Sequence, residues 1–286
     1  MITETKTYNY GIFLFLIAYF SFAILDTIQK TAIQYHSVFQ LLLVKYIFCI
    51  FFSFFIAKKN NIKKFYSTNN YKIQLIRCIL SICEACFFIL SFRYLALADV
   101  HTIGSLAPVL ILVFSYIILR EKISMVTWIA IFISFFGVVL IMRPGISIFN
   151  PYLILPLLAA FFYSLFQVMT RLNARYDDNE TMLFYNGLIG AIIMLVFSYF
   201  FWQPLHSFSY IFFIFLGFFF CVGLYLQIKA LSLTPASILA PYHYSIIIWA
   251  ILFGFFVYDD FPDIFTIIGA IIIVSSGVFI FRYSNK

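Results

Sequence analysis

Residues Arg77 to Val100 read RCILSICEACFFILSFRYLALADV, and between Cys78 and Phe92 a single charged side chain, Glu84, interrupts the apolar run. Extended from Lys72 to Ala96, the run reaches the roughly 20 residues that a helix needs to cross the hydrocarbon core of a bilayer. A carboxylate near the middle of such a helix is costly, and residues of this kind face a bundle interior, pair with another group or serve a transport path. The stretch predicts a membrane helix with one functional or structural charge inside it.

The same reading extends along the whole chain. Apolar runs at 10–29, 37–57, 72–96, 99–119, 124–142, 150–170, 181–201, 209–231, 235–257 and 263–282 predict an all-α integral membrane protein of ten transmembrane helices. The connections are short and leave no room for an extramembrane domain. Of the 286 residues, 64% are hydrophobic and 10% charged, which excludes a soluble domain of ordinary surface. With forty Phe and twenty Tyr, an aromatic position by itself points to lipid contact or packing. The segment before the first run holds one lysine, Lys6, and no small-residue cleavage site follows that run, so the first helix is read as retained.

The formal net charge of +7 comes from basic residues in the loops, where they orient a membrane protein; nucleic acid is not the expected partner. With the N-terminus inside, thirteen of the eighteen Lys and Arg fall on the cytoplasmic side, among them Lys58, Lys59, Lys63, Lys64 and Lys72 in one loop. The opposite side holds Lys30, Arg93 and Arg143 and the acidic Asp259, Asp260 and Asp263. Both termini are therefore expected in the cytoplasm and the chain in the cell inner membrane as a multi-pass protein. The five cysteines lie inside apolar spans and read as small packing residues. Cys83 and Cys86 form a C-x-x-C with no further Cys or His nearby, which does not make a metal site. No cofactor and no catalytic cluster is expected, and the chain does not read as an enzyme.

The two halves echo each other. AILDTIQK (Ala23 to Lys30) is answered by SLFQVMTR (Ser164 to Arg171), Leu95-Ala96-Leu97 by Leu231-Ser232-Leu233, and Gly137-Val138 by Gly277-Val278. Five spans per copy is an odd number, so the second copy enters the membrane upside down. The expected modules are residues 1–145 and 146–286. Inverted repeats of this kind are a hallmark of secondary transporters, which hold a central site between two bundles.

Further motifs carry a resemblance. SFRYLALADVHTI (Ser91 to Ile103), Ala107-Pro108 and ILREKIS (Ile118 to Ser124) in the first half, with LAPYHY (Leu239 to Tyr244), DDFPD (Asp259 to Asp263) and Ile268-Gly269-Ala270 in the second, resemble the EamA modules of the drug/metabolite transporter superfamily. The resemblance covers essentially the whole chain. It implies a ten-helix bundle of two inverted five-helix modules that moves small metabolites without ATP. The A-P-Y-x-Y and F-P-D elements look most like the branch containing bacterial S-adenosylmethionine uptake carriers, which implies an arginine where this chain has His243. No G-x-x-x-x-G-K-[ST] loop is present.

Six residues are candidates for substrate binding. Lys45 lies roughly 12 Å from one end of its span and 18 Å from the other, too deep to snorkel easily, and Glu84 is roughly 18 Å deep on the next span, so the two are expected to pair. Tyr242, His243 and Tyr244 follow Pro241, whose missing N–H can free carbonyls for a ligand; Pro108 is its inverted counterpart. Arg77 sits about two turns from the cytoplasmic end, where reaching lipid phosphate is the simpler role, and the family resemblance implies a basic residue there. Asp26, Gln167 and Gln227 read as helix-end locks, and His101, Thr102 and Ser105 as packing residues. The expected function is transport by alternating access of a small polar or zwitterionic solute, with proton coupling through Glu84 or His243. The alternatives are a lipid flippase and a non-transporting membrane scaffold. Oligomeric state is not encoded in any of these patterns.

Overall fold

The computed structural model describes residues 2–95, 97–121, 124–142, 151–205 and 209–259, together with 264, 267–269, 271–272, 275–276 and 279. Most of the predicted tenth span, with Asp260, Asp263, Arg282, Lys286 and the Gly277-Val278 pair, lies outside the described residues, as do Lys122 and Arg143.

Helices α1 (Ile2–Ala32), α2 (Val38–Lys59) and α3 (Tyr71–Ser91) form the first three spans. The fourth is interrupted: α4 (Leu97–Gly104) stops two residues short of α5 (Ala107–Phe114), whose first turn contains Pro108, and a π-helical turn (Ser115–Leu119) completes it. Proline has no N–H, so Pro108 cannot donate to the Gly104 carbonyl, and the break falls in the turn just before it. After α6 (Met125–Met142) come α7 (Ile154–Asn173), α8 (Asn179–Phe200) and α9 (Ser209–Leu233). The span that follows repeats the interruption, as α10 (Ala236–Leu239), a 3-10 segment over Ala240–Tyr244 containing Pro241, and α11 (Ser245–Tyr258). Seven of these segments are long and apolar enough to cross a membrane, and Ala107–Leu119 and Trp128–Gly137 are shorter apolar helices.

The packing of the halves is reciprocal. Helix α1 lies against α9 and α3 against α7, the first span of each half on the third of the other; α2 packs on α8, α4 on α11 and α5 on α10. Exchanging the halves leaves this set of pairs unchanged. Close approach of α2 and α8 depends on Gly187 and Gly190: a Cβ on Gly187 would lie 2.9 Å from the Ile50 amide nitrogen, and one on Gly190 2.5 Å from the Tyr46 ring. Small residues let membrane helices pack at this distance, where van der Waals contact replaces the hydrophobic drive of water.

Both interrupted spans end in the same way. Arg120 (φ 55°) donates its N–H to the Ser115 carbonyl, and Asp259 (φ 55°) donates to the Gly254 carbonyl, each five residues back. These left-handed caps on residues other than glycine stand 139 positions apart, matching the spacing of the sequence echoes.

Loop residues 60–70 and 173–178 meet at one end of the bundle, where Thr68 Oγ1 donates to Asp177 Oδ2 at 2.5 Å and the Asn69 amide to Asp177 Oδ1 at 2.7 Å. Lys58, Lys59, Lys63, Lys64, Arg171 and Arg175 cluster there, and it is called the basic end below.

Candidate functional site

A cavity lies at the centre of the bundle, with about 110 Å³ open to the centres of water molecules. It is lined from the first half by α1, α2, α3, α4 and α5 and from the second by α7, α9, the 3-10 segment and α11. Helical spacing explains which side chains reach it. Tyr19, Phe22, Asp26 and Gln29 share one face of α1 at intervals of three and four, and Ser81, Glu84, Ala85 and Phe88 share one face of α3. Phe22, Phe88, Phe166 and Phe220 supply apolar wall between the polar groups.

The charged groups form one cluster. Lys45, 3% exposed, donates from Nζ to Gln29 Oε1 at 2.7 Å, and Gln29 Nε2 donates to Asp26 Oδ1 at 2.9 Å. Asp26 Oδ2 lies 3.4 Å from His101 Nε2, and the Lys45 ammonium sits 4.7 Å from the centre of the Phe220 ring. Glu84 faces the same cavity and makes no direct hydrogen bond or ion pair among the described residues. Lys45 and Glu84, expected to pair, attract each other on the cavity wall without a direct bond. The Gln29 amide, arriving from α1, satisfies the ammonium with its carbonyl and Asp26 with its N–H, and the Glu84 carboxylate is left turned to the cavity. Asp26 and His101, read as a helix-end lock and a packing residue, belong to this cluster.

A second, uncharged cluster lies at the other part of the cavity, with Tyr19, Tyr163, Gln227 and His243 in the wall and Gln167 bonded to them from outside it. Tyr19 Oη is 2.6 Å from His243 Nδ1 and accepts from Gln167 Nε2 at 3.1 Å, while Gln227 Nε2 donates to Tyr163 Oη at 2.6 Å. Tyr19 and Tyr163 also hydrogen-bond each other, and Gln167 donates to Tyr163. The His243 ring stands nearly edge-on to Tyr19, with centroids 5.0 Å apart. His243 is carried by the 3-10 segment around Pro241, so the helix interruption is what aims its ring into the bundle.

The remaining candidates lie elsewhere. Tyr244 is 2% exposed with its hydroxyl unpartnered, and neither it nor Tyr242 lines the cavity, because a 3-10 segment of this length cannot turn three consecutive side chains to one side. Arg77 does not snorkel. It is fully buried, donates from Nε to Gln74 Oε1 at 3.3 Å and from Nη2 to the Met182 carbonyl, and has its guanidinium 5.6 Å from the Phe166 ring centre. It stands one turn from Ser81 on α3, toward the basic end and beyond the cavity floor. Of the residues that the sequence reading did not name, Tyr19 and Gln29 had a usable signal in their spacing with Asp26; Gln167 and Gln227, read as helix-end locks, belong instead to the uncharged cluster. Tyr163 had none, in a chain with twenty tyrosines.

A model of the EamA-like transporter family matches the chain twice, at residues 9–143 and 150–282. The chain belongs to this family. Its members are transporters and not enzymes, and the chain is accordingly a multi-pass membrane protein. It is 27% identical, over 98% of its length and 95% of theirs, to proteins of Rickettsia conorii and Rickettsia prowazekii named S-adenosylmethionine uptake transporter. It is 29% identical over 59% of its length to 57% of a riboflavin transporter of Vibrio cholerae. A solved crystal structure shares its fold with a TM-score of 0.78 and 15% identity, over 100% of this chain and 98% of the other.

Proposed function

We propose that this family member is a secondary carrier of the inner membrane that moves a small polar or zwitterionic metabolite, amino-acid-like or S-adenosylmethionine-like, by alternating access. Ten spans in two inverted modules, residues 1–145 and 146–286, with both termini and the basic end in the cytoplasm, make up the carrier. The observation that carries this reading is a cavity shared by both halves in which one carboxylate, Glu84, has no hydrogen-bond donor among the described residues. A carboxylate at mid-membrane that is attracted by Lys45 but bonded to no donor remains expensive. A solute bringing an ammonium or sulfonium to Glu84 would supply the direct contact that Lys45 does not make, with Phe22 and Phe88 adding cation–π attraction. The uncharged cluster of Tyr19, Tyr163, Gln167, Gln227 and His243 would then hydrogen-bond the rest of the solute. Lys45 acts in this reading through Gln29 and Asp26, and Arg77, Tyr242 and Tyr244 support the site from outside the cavity. Proton coupling would run through Glu84 or His243.

The test is uptake into proteoliposomes of a panel containing radiolabelled S-adenosylmethionine, amino acids and riboflavin, with and without an imposed pH gradient. Saturable uptake of a cationic or zwitterionic member is expected. Uptake of none, or of riboflavin alone, would overturn the reading. A rate that ignores the pH gradient would remove proton coupling and leave the rest.

A further inference from the structure

Two polar latches occupy equivalent places in the two halves, one toward each end of the bundle. Toward the basic end, Glu121 follows directly on the left-handed cap at Arg120. Its Oε2 accepts from the Ser237 amide at 3.1 Å and from the Ser237 hydroxyl at 2.6 Å. Its Oε1 lies 3.8 Å from Nε of Arg171, whose Nη1 in turn donates to the carbonyls of Leu231 at 2.8 Å and Ser232 at 2.9 Å. The end of the fourth span of the first half is thereby tied to the end of α7, the first span of the second half, and to the start of α10.

Toward the opposite end, Tyr258 directly precedes the left-handed cap at Asp259. Its hydroxyl donates to the Thr27 carbonyl at 2.7 Å and is 3.0 Å from Thr31 Oγ1, and Lys30 Nζ stands 4.4 Å from the centre of its ring. Here the end of the fourth span of the second half is tied to the end of α1, the first span of the first half. Lys30 and Arg171 close the two echoing segments that relate the halves.

We propose that these latches are the two gates of the cycle: Glu121 with Arg171 and Ser237 closes the cavity to the cytoplasm, and Tyr258 with Thr27 and Thr31 closes it to the outside. The inference rests on the reading of the chain as an alternating carrier. Three features support it. Each latch joins one half to the other, so relative motion of the halves must break it. Each sits on a span already interrupted by proline, at Pro108 or Pro241, so that its end can move without the whole helix. Each adjoins a left-handed non-glycine cap, a conformation that costs free energy and persists where surrounding contacts hold it. The latches differ in chemistry, a carboxylate against neutral hydroxyls, so the cytoplasmic gate is the stronger of the two.

The test uses full-length protein lacking the native cysteines and carrying Ser81→Cys, a cavity-lining reporter. Its rate of modification by a membrane-impermeant methanethiosulfonate is measured in right-side-out and in inside-out vesicles. Glu121→Ala is expected to raise the rate from the cytoplasmic side about tenfold and to lower it from the outside, as loss of hydrogen bonds to a charged group predicts. Tyr258→Phe is expected to shift the rates several-fold in the reverse sense. If Glu121→Ala does not accumulate, Ser237→Ala removes the 2.6 Å bond alone and must move the rates in the same direction. Two-sided labelling that neither variant redistributes would overturn the gates and leave the carrier standing. Labelling from one side only, in every variant, would overturn the carrier reading itself.

Discussion

Replacing Gln29 with leucine removes both hydrogen bonds through which α1 holds the charged cluster, the one from Lys45 at 2.7 Å and the one to Asp26 at 2.9 Å. Each has a charged partner, and bonds of that kind contribute about 1.5–3 kcal/mol, so the substitution should cost on the order of 3–6 kcal/mol. That is a large part of the roughly 5–15 kcal/mol by which folded domains are stable. Unfolding can be followed in detergent with a thiol-reactive dye, because Cys49, Cys78 and Cys221 are buried free thiols that become reactive as the bundle opens. A fall in the midpoint on the order of 10 °C is expected. The mechanism is isolated by a double-mutant cycle. In a Lys45→Met background, Gln29→Leu should cost about 1.5–3 kcal/mol less, because the ammonium it would strand is gone. The coupling of Glu84→Gln with Lys45→Met should be smaller than this. Coupling stronger between Lys45 and Glu84 than between Lys45 and Gln29 would refute the bridged arrangement and restore a direct pair.

Glu84→Gln should leave the unfolding midpoint within a few degrees of wild type, since among the described residues none is hydrogen-bonded to Glu84, while weakening uptake of a cationic or zwitterionic solute at least about tenfold in proteoliposomes. Gly190→Ala places a Cβ 2.5 Å from the Tyr46 ring and should destabilise by about 1–3 kcal/mol, read as a lower midpoint in the thiol assay, with partial recovery when Tyr46 is shortened to leucine. In a cysteine-free background, Asn61→Cys should be labelled by an impermeant maleimide only from the cytoplasm and Leu205→Cys only from outside; the opposite result for Asn61 would invert the bundle and exchange the two gates.

The bundle was legible because length and hydropathy alone decide where a helix can cross a membrane, and the echo between AILDTIQK and SLFQVMTR announced the two halves. The fourth and ninth spans were legible as apolar runs but not as the broken helices they are, although Pro108 and Pro241 marked the places. The site was only partly visible. Depth along a helix put Lys45 and Glu84 at one level, but depth does not tell which side chain takes the ammonium's hydrogen bond, and here Gln29 of α1 takes it. Asp26 looked like a helix-end residue because its span was expected to stop at residue 29; α1 continues to Ala32 and carries Asp26 to the cavity wall. Arg77 looked close enough to the interface to reach it, but its position on the face of α3 turned toward α7 and α8 decides its burial, and a linear sequence does not give that rotation.

The central claim, a carrier that exposes one cavity to each side in turn, is tested most directly by counterflow. Proteoliposomes loaded with unlabelled S-adenosylmethionine, or whichever solute the panel identifies, are diluted into a trace of the labelled form with no gradient other than the solute's own. A carrier exchanges one for the other, so label should accumulate transiently above its equilibrium level, and Glu84→Gln should abolish the overshoot. Label that rises to equilibrium without overshoot would indicate a pore, and no protein-dependent entry of any solute would indicate that this cavity does not carry one; either would contradict the account.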